Sequence, residues 1–506
     1  CRFSLLHAEI SSYLVYNSTN SFLWQRFFVQ LRKKVFVAKI LKPLYNDFII
    51  IKHGYMILFH VSKERGIFVN YIELSVFIAY FVFMVAIGLY FFSKSKGAGE
   101  KDYFRHMGPW VTALSAGASD MSAWVLMGLP ASIYLSGMGQ TWIAIGLGIG
   151  YAVSWIFMAP RLRRFSIAAN DSITIPQYLT NRFLSKNKSL QILSAIIFLV
   201  AYTIYAASSI KACGTLFNTV MDIDPTVAMY IAAFIIVAYT FLGGFSAVCW
   251  TDFFQGMIML AALLIAPLFA LALAKAGDGA ATGAALPDGF FNFFTTPQDI
   301  ISGLGWGLGY FGMPHIIIRF MSLKSEKELR KSSVIGISWT TIILIMSALT
   351  AIAGRLYLGE IEDSSTVFIT MVRRIFPALV SGLLLSAILS AAMSTADSQL
   401  LAASSAFASD VYKPVIRKKA SDSEMLWAGR IVVIVIAIVA LFIASDPNSG
   451  SIMGLVENAW GVFGAAFGPV ILLSLFWKRL TFGGTVAGIA VGAAVDILWL
   501  VFLSST

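Results

Sequence analysis

Apolar runs of about 20 residues, the length that crosses the hydrocarbon core of a bilayer, recur along this chain after residue 68. Only 12% of the 506 residues are charged, whereas 58% are hydrophobic. Twelve spans are predicted, at residues 71–92, 109–135, 137–160, 189–220, 225–243, 246–275, 299–320, 332–358, 378–411, 424–445, 450–476 and 482–504. The pattern predicts an all-α integral membrane protein that lies in the lipid bilayer.

Basic residues in the loops indicate how the spans are oriented. They follow spans 1, 3, 7, 9 and 11, whereas the loops after even-numbered spans are richer in Asp and Glu. Because Lys and Arg collect in cytoplasmic loops, we expect the odd-numbered loops inside and the start of span 1 outside. Arg373 and Arg374 depart from this pattern. We expect them on an amphipathic helix that lies along the outer face before span 9.

Composition and missing motifs exclude several functional classes. The formal charge of +11 does not indicate a nucleic-acid partner, because the basic residues lie in short blocks between apolar spans. The three cysteines, Cys1, Cys213 and Cys249, form no CxxC pair, so neither a disulfide framework nor a zinc site is predicted. The chain also lacks a GxxxxGK[ST] phosphate loop and an HExxH motif. We therefore expect no ATP hydrolysis within this chain and no enzymatic activity.

Residues 1–68 differ from the rest of the chain. They hold ten Lys and Arg residues against three Asp and Glu, and they contain no run long enough to span a bilayer. No signal-peptide cleavage pattern is present. We expect this segment to be a non-native upstream extension from an over-extended gene model, with Val69 as the native start. We also expect a further carboxy-terminal span, because Thr506 directly follows span 12 on the predicted outer side.

Span 2 contains a carboxylate, Asp120, within the sequence PWVTALSAGASDMSAWVLMGLP (109–130). A carboxylate at the centre of an inserted helix costs roughly 2.5–3.5 kcal/mol, so such residues usually face an ion path, a cavity or a partner. Six of the seven residues at positions 113–119 are small, the exception being Leu114. We expect them to admit other backbones closely and to favour unwinding of the helix there. Unwound carbonyls at membrane depth are typical of a polar site and suit a hard cation such as sodium.

A second interrupted span is predicted at GLGWGLGYFGMP (303–314), where glycines recur and a proline follows. It is the sixth span counted from span 2. Two sets of five spans, each beginning with an interrupted helix, are typical of a LeuT-type inverted repeat. We expect this 5+5 core with an extra N-terminal span and loop at 69–108, a first repeat at 109–275, a second at 276–476 and an additional span at 477–506.

Span 9 carries Ser386, Ser390 and Ser394 at four-residue spacing, which puts three hydroxyls on one helical face, with Thr395 beside the last. Such a stripe also forms where hydroxyls bond their own backbone or hold helices together. The doublet Ser394 and Thr395 is more specific. Two hydroxyls and a few carbonyls from an unwound neighbour make a five-oxygen sodium site that needs no carboxylate.

Aromatic residues flank the interrupted spans. Trp306 and Tyr310 lie four residues apart in the glycine-rich run, and Trp124 and Tyr205 add aromatic surface from spans 2 and 4. Packing or an interfacial belt explains many such residues. At mid-membrane depth beside broken helices, they also suit a small ligand with an apolar ring and charged ends. The carboxylate of such a ligand favours the positive amino-terminal ends of helices.

Two charged residues, Asp252 and Arg319, fall near the predicted cytoplasmic ends of spans 6 and 7. Charged side chains in spans are costly and usually paired. A gate and a packing ion pair are equally compatible with these positions.

Several stretches together resemble the sodium/solute symporter family, and most closely its bacterial proline-transporting branch. They are ALSAGASDMSAWVLMGLP (113–130), WIAIGLGIGY (142–151), RLRRF (161–165), GWGLGYFGMPHIIIRFM (305–321), LLSAILSAAMSTADSQLL (384–401) and AWGVFGAAFGPVILLSLFW (459–477). The resemblance covers roughly residues 70–504 and implies a thirteen-span protein with a LeuT-type core.

The resemblance also implies roles for particular residues. The sodium site would use backbone oxygens and two hydroxyls, from Ala118, Met121, Ala391, Ser394 and Thr395. Asp120 matches the family's essential aspartate and would order this site. Other positions match those that line or support the solute pocket, namely Ser122, Trp124, Tyr205, Trp306, Tyr310 and Pro314. Ala123 and Met313 replace a glycine and a glutamine that are familiar in the family, close to the solute.

Together these features predict a secondary transporter of the bacterial cytoplasmic membrane. It would bind extracellular sodium, then L-proline, and open inward by alternating access, with no organic cofactor and no obligatory protein partner. Another small amino acid or a carboxylate is the alternative solute. The membrane sensor module of a kinase is the alternative from another class, because such proteins reuse this fold.

Overall fold

The computed structural model describes Ile49–Lys52, Tyr55–Leu58 and residues 70–95, 106–242, 244–277, 286 and 288–502. The chain divides into two units, Cys1–Ile67 and Phe68–Thr506. In the first unit, β1 Ile49–Lys52 pairs with β2 Tyr55–Leu58 as an antiparallel hairpin. The rest of the predicted upstream extension lies outside the described residues, so that expectation stays a prediction.

The second unit is helical in its described part. Its first nine helices are α1 Tyr71–Ser95, α2 Pro109–Met121, α3 Gly128–Ser136, α4 Thr141–Val153, α5 Ala159–Ala168, α6 Ile175–Arg182, α7 Ser189–Met221, α8 Pro225–Leu242 and α9 Phe245–Ala276. The others are α10 Pro297–Gly305, α11 Pro314–Ser322, α12 Glu326–Leu358, α13 Val367–Ile375, α14 Ala378–Ser405, α15 Asp422–Ser445, α16 Ile452–Phe476 and α17 Phe482–Phe502. A π-helical stretch, Ser154–Met158, joins α4 to α5, and another, Ala406–Ile416, extends α14.

Each of the twelve predicted spans coincides with a helix or with a broken helix. Nine described stretches are long and apolar enough to cross a membrane, namely Tyr71–Tyr90, Met138–Ala168, Ser189–Met221, Phe245–Ala276, Glu326–Leu358, Ala378–Ile416, Ser423–Ser445, Ile452–Phe476 and Phe482–Phe502. Of the remaining three spans, span 5 is the shorter helix α8, and spans 2 and 7 are broken into pieces. The prediction of a multi-pass, all-α membrane protein is confirmed. The predicted domain boundaries within Phe68–Thr506 stay predictions.

The break in span 2 follows Asp120. α2 stays regular through residues 113–119 and ends at Met121, and Ser122 then adopts φ 46° and ψ −177°. A left-handed φ is uncommon for a residue with a side chain, and it ends the helical path. A 3-10 turn, Ala123–Val125, precedes α3. The expectation of unwinding within residues 113–119 is therefore wrong, although the span is interrupted.

Close packing explains why the small residues remain helical. α2 packs against α9, α12 and α14. A Cβ built on Gly117 would lie 2.6 Å from the Trp339 ring of α12, and one built on Gly256 of α9 would lie 3.3 Å from the Cβ of Ala118. The small residues thus admit neighbouring helices, as expected, and these neighbours hold α2 on its helical path to the end.

Span 7 is broken as predicted. α10 ends at Gly305, a 3-10 stretch occupies Trp306–Phe311, and α11 begins at Pro314. Glycine weakens helical preference, and proline cannot donate the amide hydrogen bond that a continuous helix needs. The break therefore follows from the local sequence.

α4 approaches this broken span at glycines. A Cβ built on Gly146 would overlap the carbonyl oxygen of Gly303, and one built on Gly150 would overlap the backbone of Gly307. Only a residue without a Cβ lets the two backbones approach so closely. These glycines therefore fix the position of the Trp306–Phe311 stretch against α4.

We expect Gly146→Ala to lower the unfolding temperature, because its Cβ has no space beside Gly303. Overpacking costs roughly 1–3 kcal/mol. Gly148→Ala is the matched control on the same helix. The nearest group to its Cβ is a Leu344 methyl at 3.9 Å, and alanine favours a helix over glycine by about 1 kcal/mol. Thermal unfolding in detergent measures the difference, and equal unfolding temperatures for both variants would contradict this packing.

The predicted amphipathic helix before span 9 is α13, which carries Arg373 and Arg374 in its last turn. Its apolar side is buried through residues such as Phe368 and Met371. Its position along the outer face stays a prediction.

Candidate ion and solute site

Two hydroxyls of α14 meet the last turn of α2. Ser394 Oγ donates to the carbonyl oxygen of Ala118 over 2.9 Å and lies 3.3 Å from that of Ala391, and Thr395 Oγ1 lies 3.5 Å from the Ala118 oxygen. All four residues are 0% exposed. The fold thus brings together four of the five residues predicted for the sodium site.

The donor set has the chemistry of an alkali-cation site. It consists of neutral hydroxyl and carbonyl oxygens, and hydroxyl oxygens can turn their lone pairs toward a cation when their protons turn away. Soft transition metals prefer sulfur and imidazole. No group of three or more His, Cys, Asp or Glu residues suited to a metal ion occurs in the part of the chain that the structure describes. The arrangement fits sodium.

Met121, the fifth predicted ligand, is the last residue of α2 before the break. Carbonyls in the last turn of a helix lose their intrahelical amide partners, which makes the Met121 oxygen available. No hydrogen bond between Met121 and Ser394 or Thr395 is found among the described residues. Its role in the ion site depends on its position alone.

Asp120 ties the broken span 2 to the broken span 7. The Tyr310 hydroxyl donates to Asp120 Oδ2 over 2.5 Å, and the Tyr205 hydroxyl donates to the Asp120 carbonyl over 3.4 Å. Asp120 is only 4% exposed. Its carboxylate therefore faces the aromatic side of α2, while the Ala118 carbonyl two residues earlier faces α14.

A small cavity lies beside this carboxylate. Its volume is about 10 Å³, which holds roughly one water. Nine residues line it, namely Asp120, Met121, Trp124, Leu147, Tyr205, Trp306, Tyr310, Val456 and Trp460. The four aromatic residues predicted from the sequence are all among them.

Ser122 and Pro314, the other two predicted pocket residues, support the breaks. Ser122 Oγ accepts the backbone N–H of Trp124 over 3.1 Å and so caps the 3-10 turn. Pro314 opens α11, and the carbonyl of Met313 accepts the first amides of that helix from Ile316 and Ile317. Neither side chain lines the cavity.

The sequence reasoning missed Trp460 of α16. Its ring stacks on Trp306 at 6.4 Å between centroids and meets Tyr310 edge-on at 5.1 Å. Its Nε1 donates to the Trp306 carbonyl over 2.8 Å. On its other side, Trp306 stacks on Trp124 at 5.9 Å. A buried tryptophan N–H usually has a hydrogen-bond partner, so a tryptophan within an apolar span was the sequence feature that could have pointed to Trp460.

Asp252 and Arg319 do form a pair. Arg319 Nη2 lies 2.9 Å from Asp252 Oδ2, with the two side chains 2% and 0% exposed. Ser115 donates to the same carboxylate oxygen over 2.6 Å and accepts from Arg319 Nε over 2.7 Å, and Ser398 accepts from Arg319 Nη2 over 2.5 Å. The pair links α2, α9, α11 and α14. Ser398 lies one helical turn from Ser394, so the network adjoins the ion hydroxyls.

Comparison with known proteins gives the family. The sodium:solute symporter family model matches residues 103–492. The high-affinity proline transporter PutP of Bacillus subtilis (strain 168) is 44% identical over 82% of this chain and 89% of its own length. Sodium/proline symporter 2 of Staphylococcus saprophyticus is 42% identical over 88% of this chain and 90% of its own length. The osmoregulated proline transporter OpuE of Bacillus subtilis (strain 168) is 42% identical over 83% of this chain and 87% of its own length.

A solved structure has the same fold. It is the substrate-bound, outward-open state of a sodium-coupled sialic acid symporter, with a TM-score of 0.67 over 85% of this chain and 98% of that one, at 20% identity. This likeness confirms the predicted LeuT-type helical architecture at the level of the fold. Family match and sequence identity agree with it. The chain belongs to the sodium:solute symporter family.

Proposed function

We propose that this protein couples the inward movement of sodium to the uptake of L-proline across the bacterial cytoplasmic membrane. The observation that carries the proposal is the meeting of the Ser394 and Thr395 hydroxyls with the Ala118 carbonyl, beside an aromatic cavity on the same broken helix. The similarity to a proline transporter and a sodium/proline symporter suggests the solute. Sodium is the coupling ion, and no organic cofactor is part of the mechanism.

The last turn of α2 couples the two sites. Sodium bound to the Ala118 carbonyl holds this turn against α14. Two residues later, Asp120 holds Tyr310, which lines the cavity. Sodium binding therefore also stabilises the position of Tyr310 at the solute site. Because binding couplings are reciprocal, sodium raises proline affinity by the factor by which proline raises sodium affinity.

The cavity must enlarge to admit a solute. Its volume is only about 10 Å³, and the stacked indoles of Trp124, Trp306 and Trp460 form part of its lining. An apolar pyrrolidine ring fits between aromatic faces, and its carboxylate is attracted by helix amino-terminal ends near the breaks. Alternating access then exposes the filled site to one side of the membrane at a time.

The electrochemical gradient is sufficient for accumulation. One positive charge moving through roughly 100 mV gains about 2.3 kcal/mol. A tenfold sodium gradient adds about 1.4 kcal/mol, so one sodium supports a proline gradient of roughly several hundredfold.

Uptake of labelled L-proline into proteoliposomes that hold the full chain tests the proposal. We expect uptake with an inward sodium gradient and none with potassium in its place. Competition by other amino acids and by carboxylates defines the solute. Sodium-dependent proline binding without uptake, or uptake that ignores sodium, would overturn the coupling.

Trp460→Phe is expected to raise the proline KM roughly 2- to 13-fold and to leave the sodium dependence unchanged. The substitution keeps an aromatic ring, although a smaller one, and removes the donor to the Trp306 carbonyl; such a hydrogen bond is worth about 0.5–1.5 kcal/mol. Trp499→Phe, at a side chain that is 58% exposed on α17, is the matched control. A proline KM that matches in both variants would remove Trp460 from the solute site.

A further inference from the structure

A buried carboxylate on α1 lies outside the ion and solute sites. Glu73 is 1% exposed, in the first turn of the helix that precedes the ten-span core. Ser381 Oγ of α14 donates to Glu73 Oε1 over 2.6 Å, and Arg373 Nε of α13 lies 3.5 Å from Oε2. Loss of the counter-ion would leave a buried charge uncompensated, so the ionised Glu73 favours the position in which α13 supplies Arg373.

The glutamate side of this contact is fixed by backbone packing. A Cβ built on Gly382 of α14 would lie 3.2 Å from the Glu73 Cα and 3.0 Å from the Val76 Cβ. α1 and α14 therefore touch closely at the level of Glu73. The carboxylate and its serine partner belong to one packed pair of helices.

The arginine side is held more loosely. The Arg373 side chain is 34% exposed, and its Nε–Oε2 distance of 3.5 Å exceeds the roughly 2.7–2.9 Å of a strong charge-assisted hydrogen bond. Its Nη1 also donates to the Thr219 carbonyl near the end of α7 over 2.7 Å. Arg373 thus contacts α1 through an ion pair and α7 through a hydrogen bond. Motion of its side chain can break both.

The opposite end of α13 packs on other helices. A Cβ on Gly354 of α12 would overlap Val367 Cγ2, at the start of α13, and would lie 3.9 Å from Tyr134 of α3. α3 is the second half of the broken span 2. With nine residues, α13 is about 13 Å long, and it bridges the α3–α12 pair and the α1–α14 pair.

We propose that Glu73, Ser381 and Arg373 form an outer latch that holds the solute cavity closed on the predicted outer side. While the latch is formed, α13 ties α3 and α12 to α1 and α14. Separation of Arg373 from Glu73 frees one end of α13. α3 can then move away with α12, and the cavity opens. The consequence for transport rests on the proposed function, whereas the latch itself is measurable without transport.

Thiol labelling of the cavity from outside tests the latch. Leu147→Cys places a reporter in the cavity lining, in a chain whose three native cysteines are replaced by serine. A membrane-impermeant maleimide is added to right-side-out vesicles. We expect Glu73→Gln and Arg373→Gln each to raise the labelling rate about tenfold. The double variant should label no faster than either single one, because both changes release the same contact.

Glu360→Gln is the matched control. It breaks the Arg355–Glu360 pair, whose separation is 3.7 Å and whose glutamate is 88% exposed, and it should label at the parent rate. Arg373→Gln keeps the test decisive if Glu73→Gln does not fold, because Arg373 is partly exposed. The latch would be overturned if Arg373→Gln labels at the parent rate. It would also be overturned if the effects of the two single variants multiply in the double variant, or if Glu360→Gln raises the labelling rate as much as the latch variants do. If the parent protein takes up no proline but the latch variants still raise the labelling rate, the proposed function alone would be overturned.

Discussion

Replacement of Ser394 and Thr395 by alanine together is expected to raise the sodium concentration for half-maximal proline uptake at least 100-fold. Their hydroxyls supply two of the proposed oxygen ligands, and both face the Ala118 carbonyl. A polar contact with a charged group is worth about 1.5–3 kcal/mol, and every 1.4 kcal/mol is a factor of ten in binding. Initial uptake rates in proteoliposomes over a range of sodium concentrations measure the effect.

Ser386→Ala is the control for this double variant. Ser386 lies two turns earlier on the same face of α14, and its hydroxyl donates to the Gly382 carbonyl of its own helix over 2.8 Å. Loss of the Ser386 hydroxyl should change the sodium concentration for half-maximal uptake less than twofold. Unfolding temperatures of both variants show whether they are folded. A folded Ser394→Ala/Thr395→Ala protein with parental sodium dependence would remove these hydroxyls from the ion site.

The spans were predictable because the membrane restricts the chain to long apolar helices. Gly312 and Pro314 gave the second break directly, since neither supports a continuous helix. The position of the first break could not be predicted in the same way. The small residues around Gly117 are compatible with unwinding and with close packing, and the Trp339 ring of a distant helix decides between them.

Recognition of the ion site depended on a local signal, whereas recognition of the cavity needed the fold. Ser394 and Thr395 stand out in one helix, and the break near Asp120 pointed to their partner. Trp460 lies some 150 residues after Trp306, and the hydrogen bond between them is formed only when α16 packs on the broken span 7. No periodicity within either segment carries that pairing.

The Asp252–Arg319 pair was predicted only as two charges near one membrane face. The structure adds an asymmetry. Asp397, three residues after Ser394, is 0% exposed, and neither of its carboxylate oxygens has a hydrogen-bond partner among the described residues. It interacts electrostatically with both Asp252 and Arg319. Asp252 is thus the ion-pair partner of Arg319, and Asp397 is a second buried carboxyl group near that pair.

Two buried acidic side chains near a single buried cation predict unequal losses of stability. Arg319→Met leaves Asp252 and Asp397 buried without a cation, and it should lower the free energy of unfolding by about 3–5 kcal/mol. Asp252→Asn keeps an acceptor for Ser115 and leaves Arg319 with Asp397, so it should cost less than Arg319→Met. Addition of Asp252→Asn to Arg319→Met should recover part of the loss, because one unpaired buried charge is removed. Unfolding in mixed detergent micelles measures all three variants.

Arg164→Met provides the comparison with a surface pair. Arg164 and Glu326 are 3.7 Å apart, with side chains 59% and 53% exposed, and such pairs contribute about 0–1 kcal/mol. If Asp252→Asn costs as much as Arg319→Met, Asp397 does not serve as the second counter-ion. If instead the arginine variant alone is severely destabilised, this network holds α2, α9, α11 and α14 together through a single cation. Because Ser398 of this network lies one turn from Ser394, loss of that cation should also weaken sodium binding.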